Sequence, residues 1–476
     1  MNAKSEHTDE FPIVARLPAN LTAVSVFEKL ARQPHVIFFD SVTEQSPLGR
    51  YSFVAADPFE WIVATDNERA PLSKAERAGR QFTTASHPDL PPFQGGAAGL
   101  FGYEVGGTLE NIPTAAIDDL PIPKLAVGLY DLVFAFDHQQ EVAYIVSQGF
   151  PETNPRRRRQ RAQARIDEAL AWLKSPSLPK HEPETFEPAT LCSEQFDVGL
   201  EGITSNMSAD GYRQMIRRAV EYIHAGDVFQ VNLAQRLVCR AHSDPLELYS
   251  RLRETNSAPY AGYLDTGEWQ ICSTSPECFL TVRGREVKTR PIKGTRGRSL
   301  QPEADLFVGD ELQLSEKDRA ENVMIVDLMR NDLSRVCHAD SVHVSKLCAV
   351  ETYAFVKHLV SSVRGTLRDD ASPFDLLRAC FPGGSITGAP KIRAMQLIAE
   401  LEPTTRGAYC GSLAYIGFDG RMDSNILIRT VTAGRGWWQL PVGGGIVAQS
   451  QPDDEYRETW HKARGMLSAI KELAVT

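Results

Sequence analysis

Between about residues 20 and 150 the chain is a succession of short β-like runs cut by glycine and proline, which constrains the fold more than any other feature. Val36–Phe39, Tyr51–Ala55, Leu125–Phe136 and Val142–Val146 are each apolar or alternating, and turn-forming residues bound them. Chains built this way close into antiparallel sheets. No apolar stretch approaches the ~20 residues needed to span a bilayer. Met1 to Glu10 is polar and acidic, without the basic and apolar segments of an export signal, so a soluble, cytoplasmic protein is expected.

Organisation changes further along. Residues 15–150 form the first region, and 151–195 shift to Pro, Arg, Glu and Ser, read as one helix followed by a linker. In the third region, 196–476, helices and strands alternate more clearly. Tyr212, Ile216, Val220 and Ile223 make one helical face closed by Gly226. A strand over Val228–Val238 puts Gln230 and Asn232 on one face and Phe229, Val231 and Leu233 on the other. Helices are expected near 316–330, 392–401 and 453–473, and strands at Gly411–Phe418 and Asn425–Ala433, joined through Asp419-Gly420. The fold class is α+β, with antiparallel sheet packed by helices.

Charge narrows the function. Lysine and arginine total 51 against 61 acids, a net −10, which argues against a nucleic-acid binder. The basic cluster Arg156–Arg159 with Arg161 opens a helical pattern and reads as a solvated helix start. Eight cysteines with no CxxC spacing suit reduced thiols, not a disulfide scaffold or zinc site.

Three local patterns can carry chemistry. Asp318 with Glu321 and Glu455 with Glu458 are carboxylates three apart, each pair sharing a helix face. Together they suit a hard dication such as Mg²⁺; separately, acids in a first turn also serve the helix dipole, and Ser315 before Asp318 is a capping pattern. The stretch Gly383 to Lys391 is a glycine-rich loop entering a helix, either an anion-receiving turn or a plain tight turn. Gly443-Gly444-Gly445 offers close backbone approach to a ligand. Lys293 stands in Pro291-Ile292-Lys293-Gly294-Thr295, with Glu277 sixteen residues before it. A lysine there is a solvated charge or, if desolvated, a nucleophile or base beside an acid.

Taken together the motifs resemble the chorismate-binding family. The matching stretches are Val228 to Gln235, Ser275-Pro276-Glu277, Pro291 to Thr295, Asp318 to Asp332, Phe381 to Lys391, Tyr409 to Ser412, Gly443 to Val447 and Glu455 to Glu458, in family order. The resemblance implies a large two-lobed antiparallel β sandwich with helices outside, the fold of anthranilate synthase component I. Members that add water to the ring carry a lysine where this chain has Gln230, and an amide cannot act as a general base. Anthranilate-forming members usually carry alanine where this chain has Lys293, whereas C4-aminating members carry the lysine.

The resemblance therefore implies replacement of chorismate's C4 hydroxyl by an amino group, giving 4-amino-4-deoxychorismate for p-aminobenzoate and folate synthesis. Lys293 would be the nucleophile and Glu277 the general acid. Mg²⁺ would be held by Glu321 and Glu458 with Glu455 and Asp318. Gly294, Thr295, Tyr409, Arg429, Gly443, Gly444 and Gly445 would line the substrate site, with His358 and Lys391 as further candidates. A guanidinium such as Arg429 grips a carboxylate through two parallel hydrogen bonds. Ammonia would come from a separate glutamine amidotransferase subunit, since no cysteine lies in a Gly-x-Cys-x-Gly turn and residues 1–476 leave no room for a second catalytic domain. Anthranilate formation is the alternative activity, and a chorismate- or tryptophan-binding subunit without turnover is a third.

Ser41, Leu48, Gly49, Arg50 and Tyr51, with Pro259, Tyr260 and Ala261, resemble the pocket in which relatives hold tryptophan, as a feedback or a structural ligand. The other reading of these residues is ordinary strand and turn.

Overall fold

The computed structural model describes residues 11–42, 47–65, 68–175, 188–298, 301–352 and 356–475. Two antiparallel sheets form its centre, one of 13 strands and one of 10. The larger lays Ile37–Asp40 of the first region against Tyr260–Asp265 of the third, with Asp40 opposite Ala261. The smaller pairs Gly96–Phe101 with Ser412–Gly417 in the same manner. Both sheets therefore draw strands from the 15–150 and the 196–476 regions. Helix Pro155–Lys174 falls between those regions, and residues 176–187 of the expected linker lie outside the described residues.

Period-two alternation builds the layers. Ile37 joins an apolar layer between the sheets, whereas its neighbour Phe38 joins the helices outside, stacking on Phe27 at 4.8 Å. The inner layer takes Phe53, Phe93, Val133 and Leu264 with Leu100, Leu413 and Tyr415, and Phe93 stacks on Tyr415 at 4.5 Å. Helix Pro452–Val475 packs Ala463, Met466, Leu467 and Ile470 over the larger sheet. Helices Glu316–Ser334 and Lys391–Leu401 add Ile325, Met329, Met395 and Ile398 to the core on the smaller sheet's side. This is the expected sandwich with helices outside.

Two expected strands are each two strands. Leu125–Phe136 divides at Asp131 into Leu125–Tyr130 of the smaller sheet and Leu132–Asp137 of the larger. Asn425–Ala433 divides likewise: Met422–Asn425 pairs in the smaller sheet, Thr430–Gly434 in the larger, and the chain crosses between at Ile426–Arg429. Runs buried on both faces carry no periodic mark of where they leave a sheet. A third crossing, at Pro276-Glu277, links Trp269–Ser275 of the larger sheet to Cys278–Arg283 of the smaller. The second and third crossings are tied together. The Ile426 N–H donates to the Glu277 carbonyl at 3.0 Å, and the Ser275 hydroxyl to the Ile426 carbonyl at 2.5 Å. No helix among the described residues is long and apolar enough to cross a membrane.

Candidate active site

The seam made by these crossings opens into a cleft of about 2340 Å³ including its mouth. Lys293, Gly294 and Thr295 enter it from strand Ile292–Gly297, Glu277 from its crossing, Arg429 from the other, and Tyr409 from the turn before Ser412–Gly417. Gly443 and Gly445 enter from strand Trp437–Ile446, paired with Gln230–Arg240 so that Asn232 lies opposite Gly445. A Cβ on Gly445 would stand 2.1 Å from the Gln230 amide nitrogen and 3.5 Å from Lys293 Nζ, so bare backbone keeps this wall thin. Gly294 takes φ +70°, and a Cβ there would meet Leu312 and Asp318.

Burial sets the protonation of the central pair. Desolvation pushes the Lys293 amine below its usual value, against the attraction of Glu321 and Glu277. Its Nζ donates to the Ser385 carbonyl at 3.2 Å. Desolvation raises the Glu277 carboxyl, against a hydrogen bond from Ser385 and the charge of Lys293. Each group is moved toward its neutral form, as a nucleophilic amine and a proton donor require. His358, whose Nδ1 lies 2.9 Å from the Thr295 hydroxyl, is driven to about 4 by burial and by Arg429. It is a neutral imidazole at neutral pH. The Arg429 guanidinium has no hydrogen-bond partner among the described residues, and its backbone sits at φ +50°.

Asp318, Glu321 and Glu458 line one part of the cleft, and Glu455 lies behind them, near Glu458. Glu321 is raised by burial and by Asp318 and Glu458, and no hydrogen bond or ion pair reaches it among the described residues. Glu455 is raised by burial and by Glu458, while Ser450 donates to it at 2.6 Å. Burial would raise Glu458 too, but Lys462 at 2.7 Å outweighs it and holds that carboxyl low. Asp318 is ion-paired with Arg296 at 3.0 Å. No three His, Cys, Asp or Glu side chains among the described residues stand close enough to enclose a metal. Glu321 and Glu455, each raised by a neighbouring acid, and the unpaired Glu321 carboxylate nonetheless match an oxygen-seeking dication in chemistry and charge. Gly444 faces this group, its Cβ position 3.3 Å from Glu455 and 3.5 Å from Glu458.

Lys391 lies elsewhere. Its Nζ donates to Asp332 and to the Cys380 carbonyl, both at 2.6 Å, so the cation at this helix start is satisfied away from the cleft. From the Gly383–Lys391 loop the cleft instead receives Ser385 and Ile386. Sequence reading also left out Asn232 and Lys462. Two amides alternating in an apolar strand mark Asn232, and spacing of four from Glu458 marks Lys462.

A second pocket of about 530 Å³ lies between the sheets. Ser41, Leu48, Tyr51, Pro259, Tyr260 and Ala261 line it, with Phe39, Phe53 and Tyr415. Gly49 and Arg50 do not line it; the Arg50 guanidinium is held by Asp137 at 2.7 Å.

Fold and cleft define a class, and the comparisons agree with it: the family model of chorismate binding enzymes matches residues 34–468, and the chain belongs to that family. Among individual relatives, aminodeoxychorismate synthase component 1 of Escherichia coli K12 is 39% identical over 94% of this chain and 95% of its own length. Anthranilate synthase component 1 of Thermus thermophilus is also 39% identical, over 94% and 95%. The crystal structure of anthranilate synthase component I from Streptococcus pneumoniae TIGR4 superposes with a TM-score of 0.75 at 31% identity, covering 88% of this chain and 92% of that one.

Proposed function

We propose that this enzyme aminates chorismate at C4 to give 4-amino-4-deoxychorismate, with ammonia supplied by a separate glutamine amidotransferase subunit. The observation that carries the reading is the buried Lys293 amine, pushed toward neutrality beside a Glu277 carboxyl pushed toward its acid form. The naming of the Escherichia coli relative supports it.

In this mechanism the Lys293 amine bonds to ring C2 as the C4–O bond breaks, and Glu277 gives its proton to the departing hydroxyl, releasing water. Ammonia then bonds to C4 as the C2–N bond breaks and the lysine amine leaves. The proton carried on the new C4 nitrogen returns to Glu277. Hydroxyl is exchanged for amino, and both side chains return to their starting state. Arg429 grips a carboxylate of the substrate, and Thr295 with neutral His358 offers hydrogen bonds. Glu321, Glu455 and Glu458, with Asp318 beside them, would hold a Mg²⁺ ion, which would supply positive charge for a ring carboxylate. Loss of the Glu277 proton acceptor and donor, or of the Lys293 nitrogen, stops the exchange.

Anthranilate formation is the second reading, favoured by the equal identity of the Thermus thermophilus relative. Incubation with chorismate, Mg²⁺ and ammonium salt, followed by mass and fluorescence analysis, separates the two. Aminodeoxychorismate that yields p-aminobenzoate only after a lyase is added supports the first; fluorescent anthranilate with pyruvate supports the second. In the second pocket, the aromatic lining around Ser41 suits tryptophan as a ligand.

A further inference from the structure

Ser385 touches both members of the central pair. Its carbonyl accepts from Lys293 Nζ at 3.2 Å, and its side chain sits beside the Glu277 carboxyl, where it favours the charged form. The residue is buried and lines the cleft floor. It lies in the one-turn segment Gly384–Ile386, too short to hold its shape alone.

What holds that segment is Arg406. Its guanidinium donates from Nη1 to the Ile386 carbonyl at 3.1 Å and from Nη2 to the Asn232 carbonyl at 2.7 Å. Glu402 fixes the guanidinium in turn with two bonds of 2.9 and 2.6 Å, and accepts the Ala234 N–H at 2.9 Å. Both side chains are at most 5% exposed. One planar cation therefore spans the Ser385 turn and strand Gln230–Arg240, a fork geometry that lysine cannot reproduce.

We propose that Ser385 is a positioning residue that sets Lys293 and Glu277 against each other, and that the Arg406–Glu402 pair fixes Ser385 in place. This rests on the roles given to Lys293 and Glu277 above. Ser385 forms no bond to substrate in this scheme; it acts through its two neighbours. The groups that face Glu277 are Lys293 from strand Ile292–Gly297, Lys462 from helix Pro452–Val475 and the Cys410 thiol from the turn before Ser412. Beside these charged and ionisable groups, Ser385 is the neutral side chain that acts on Glu277, and its carbonyl also holds Lys293. Removing its hydroxyl leaves the surrounding charges unchanged and destabilises the Glu277 carboxylate.

The test is the pH dependence of kcat for the full chain with chorismate, Mg²⁺ and ammonium chloride. Ser385→Ala should lower kcat about tenfold, leave the chorismate KM within about twofold, and move the alkaline limb up by about one pH unit, as expected for the loss of one hydrogen bond to a charged acceptor. Arg406→Lys, a variant that keeps the buried charge, should move the limb in the same direction. Should Ser385→Ala fail to fold, the Arg406→Lys profile alone decides. An unmoved limb with wild-type kcat, or a change confined to KM, overturns the proposal. Lys293→Ala and Glu277→Gln are assayed alongside. If either turns over at the wild-type rate, the catalytic reading itself is wrong, whereas inactivity of both with an unmoved limb in Ser385→Ala removes only the positioning role.

Discussion

The backbone N–H of Ile426 donates to the carbonyl of Glu277 at 3.0 Å, and this bond joins two segments that each leave one sheet for the other. Strands diverge on either side of it, so a cavity must open there. The same crossings deliver Glu277 and Arg429 to that cavity from opposite chain directions. Crossings anchored at both ends by strands of a packed sandwich give Glu277 and Arg429 rigid support.

Arg429 is the clearest case for a substrate-binding loss. Its guanidinium is buried in the cleft without a partner among the described residues, which is costly unless a carboxylate is bound there. Arg429→Lys should raise the chorismate KM by roughly ten- to a hundredfold, the cost of one hydrogen bond between charged groups. Steady-state kinetics at saturating ammonium check this, and an unchanged KM contradicts it.

Gly445→Ala should stay folded yet lose most of its activity. The added methyl would overlap the Gln230 amide and stand 3.5 Å from Lys293 Nζ, and a shift of about 1 Å at this wall costs on the order of 10²-fold in rate. Circular dichroism and kcat measured on the same preparation distinguish this from unfolding.

On the proposed Mg²⁺ site, Glu321→Gln should raise the Mg²⁺ concentration for half-maximal activity about tenfold or more while leaving the fold intact, since Glu321 makes no ion pair among the described residues that its loss could break. Titration of activity against Mg²⁺ measures it. Direct calorimetry with Mg²⁺ alone gives a second readout, in which equal affinity of both proteins counts against a metal role for Glu321.

Glu104 predicts a pH effect on stability. Burial raises its carboxyl from 4.5 to about 7, against hydrogen bonds from backbone N–H groups of which Arg406's is one. The folded state therefore keeps a proton that the unfolded chain releases between pH 4.5 and 7, and stability from this group falls as pH rises through that window. Glu104→Gln should flatten that part of the urea-midpoint profile. Parallel profiles for both proteins would refute the assignment.

Much of this was legible in the residues. Alternation in Gln230–Arg240 placed two amides on one face, and Asn232 does line the cleft. The helix beginning at Glu316 starts where Ser315 caps it, accepting the Asp318 N–H at 3.3 Å. What alternation could not show was a change of sheet, because Leu125–Phe136 is apolar on both faces on either side of Asp131, whose buried carboxylate lies 3.5 Å from Arg161 and Arg165. Nor could spacing show that Lys391 has a private acid in Asp332, 59 residues earlier, or that Arg406 would bridge two walls of the cleft from outside every motif. Long-range partners of single charged residues leave no local pattern.

The measurement that bears most directly on Lys293 is peptide-mapped mass spectrometry of the enzyme held with chorismate and Mg²⁺ in ammonia-free buffer, then acid-quenched. The expected result is an adduct of chorismate less one water on the Lys293 peptide, absent in Glu277→Gln and discharged by ammonium salt. Full turnover to aminodeoxychorismate by Lys293→Ala, with no adduct at Lys293 in the unmodified chain, would contradict the account.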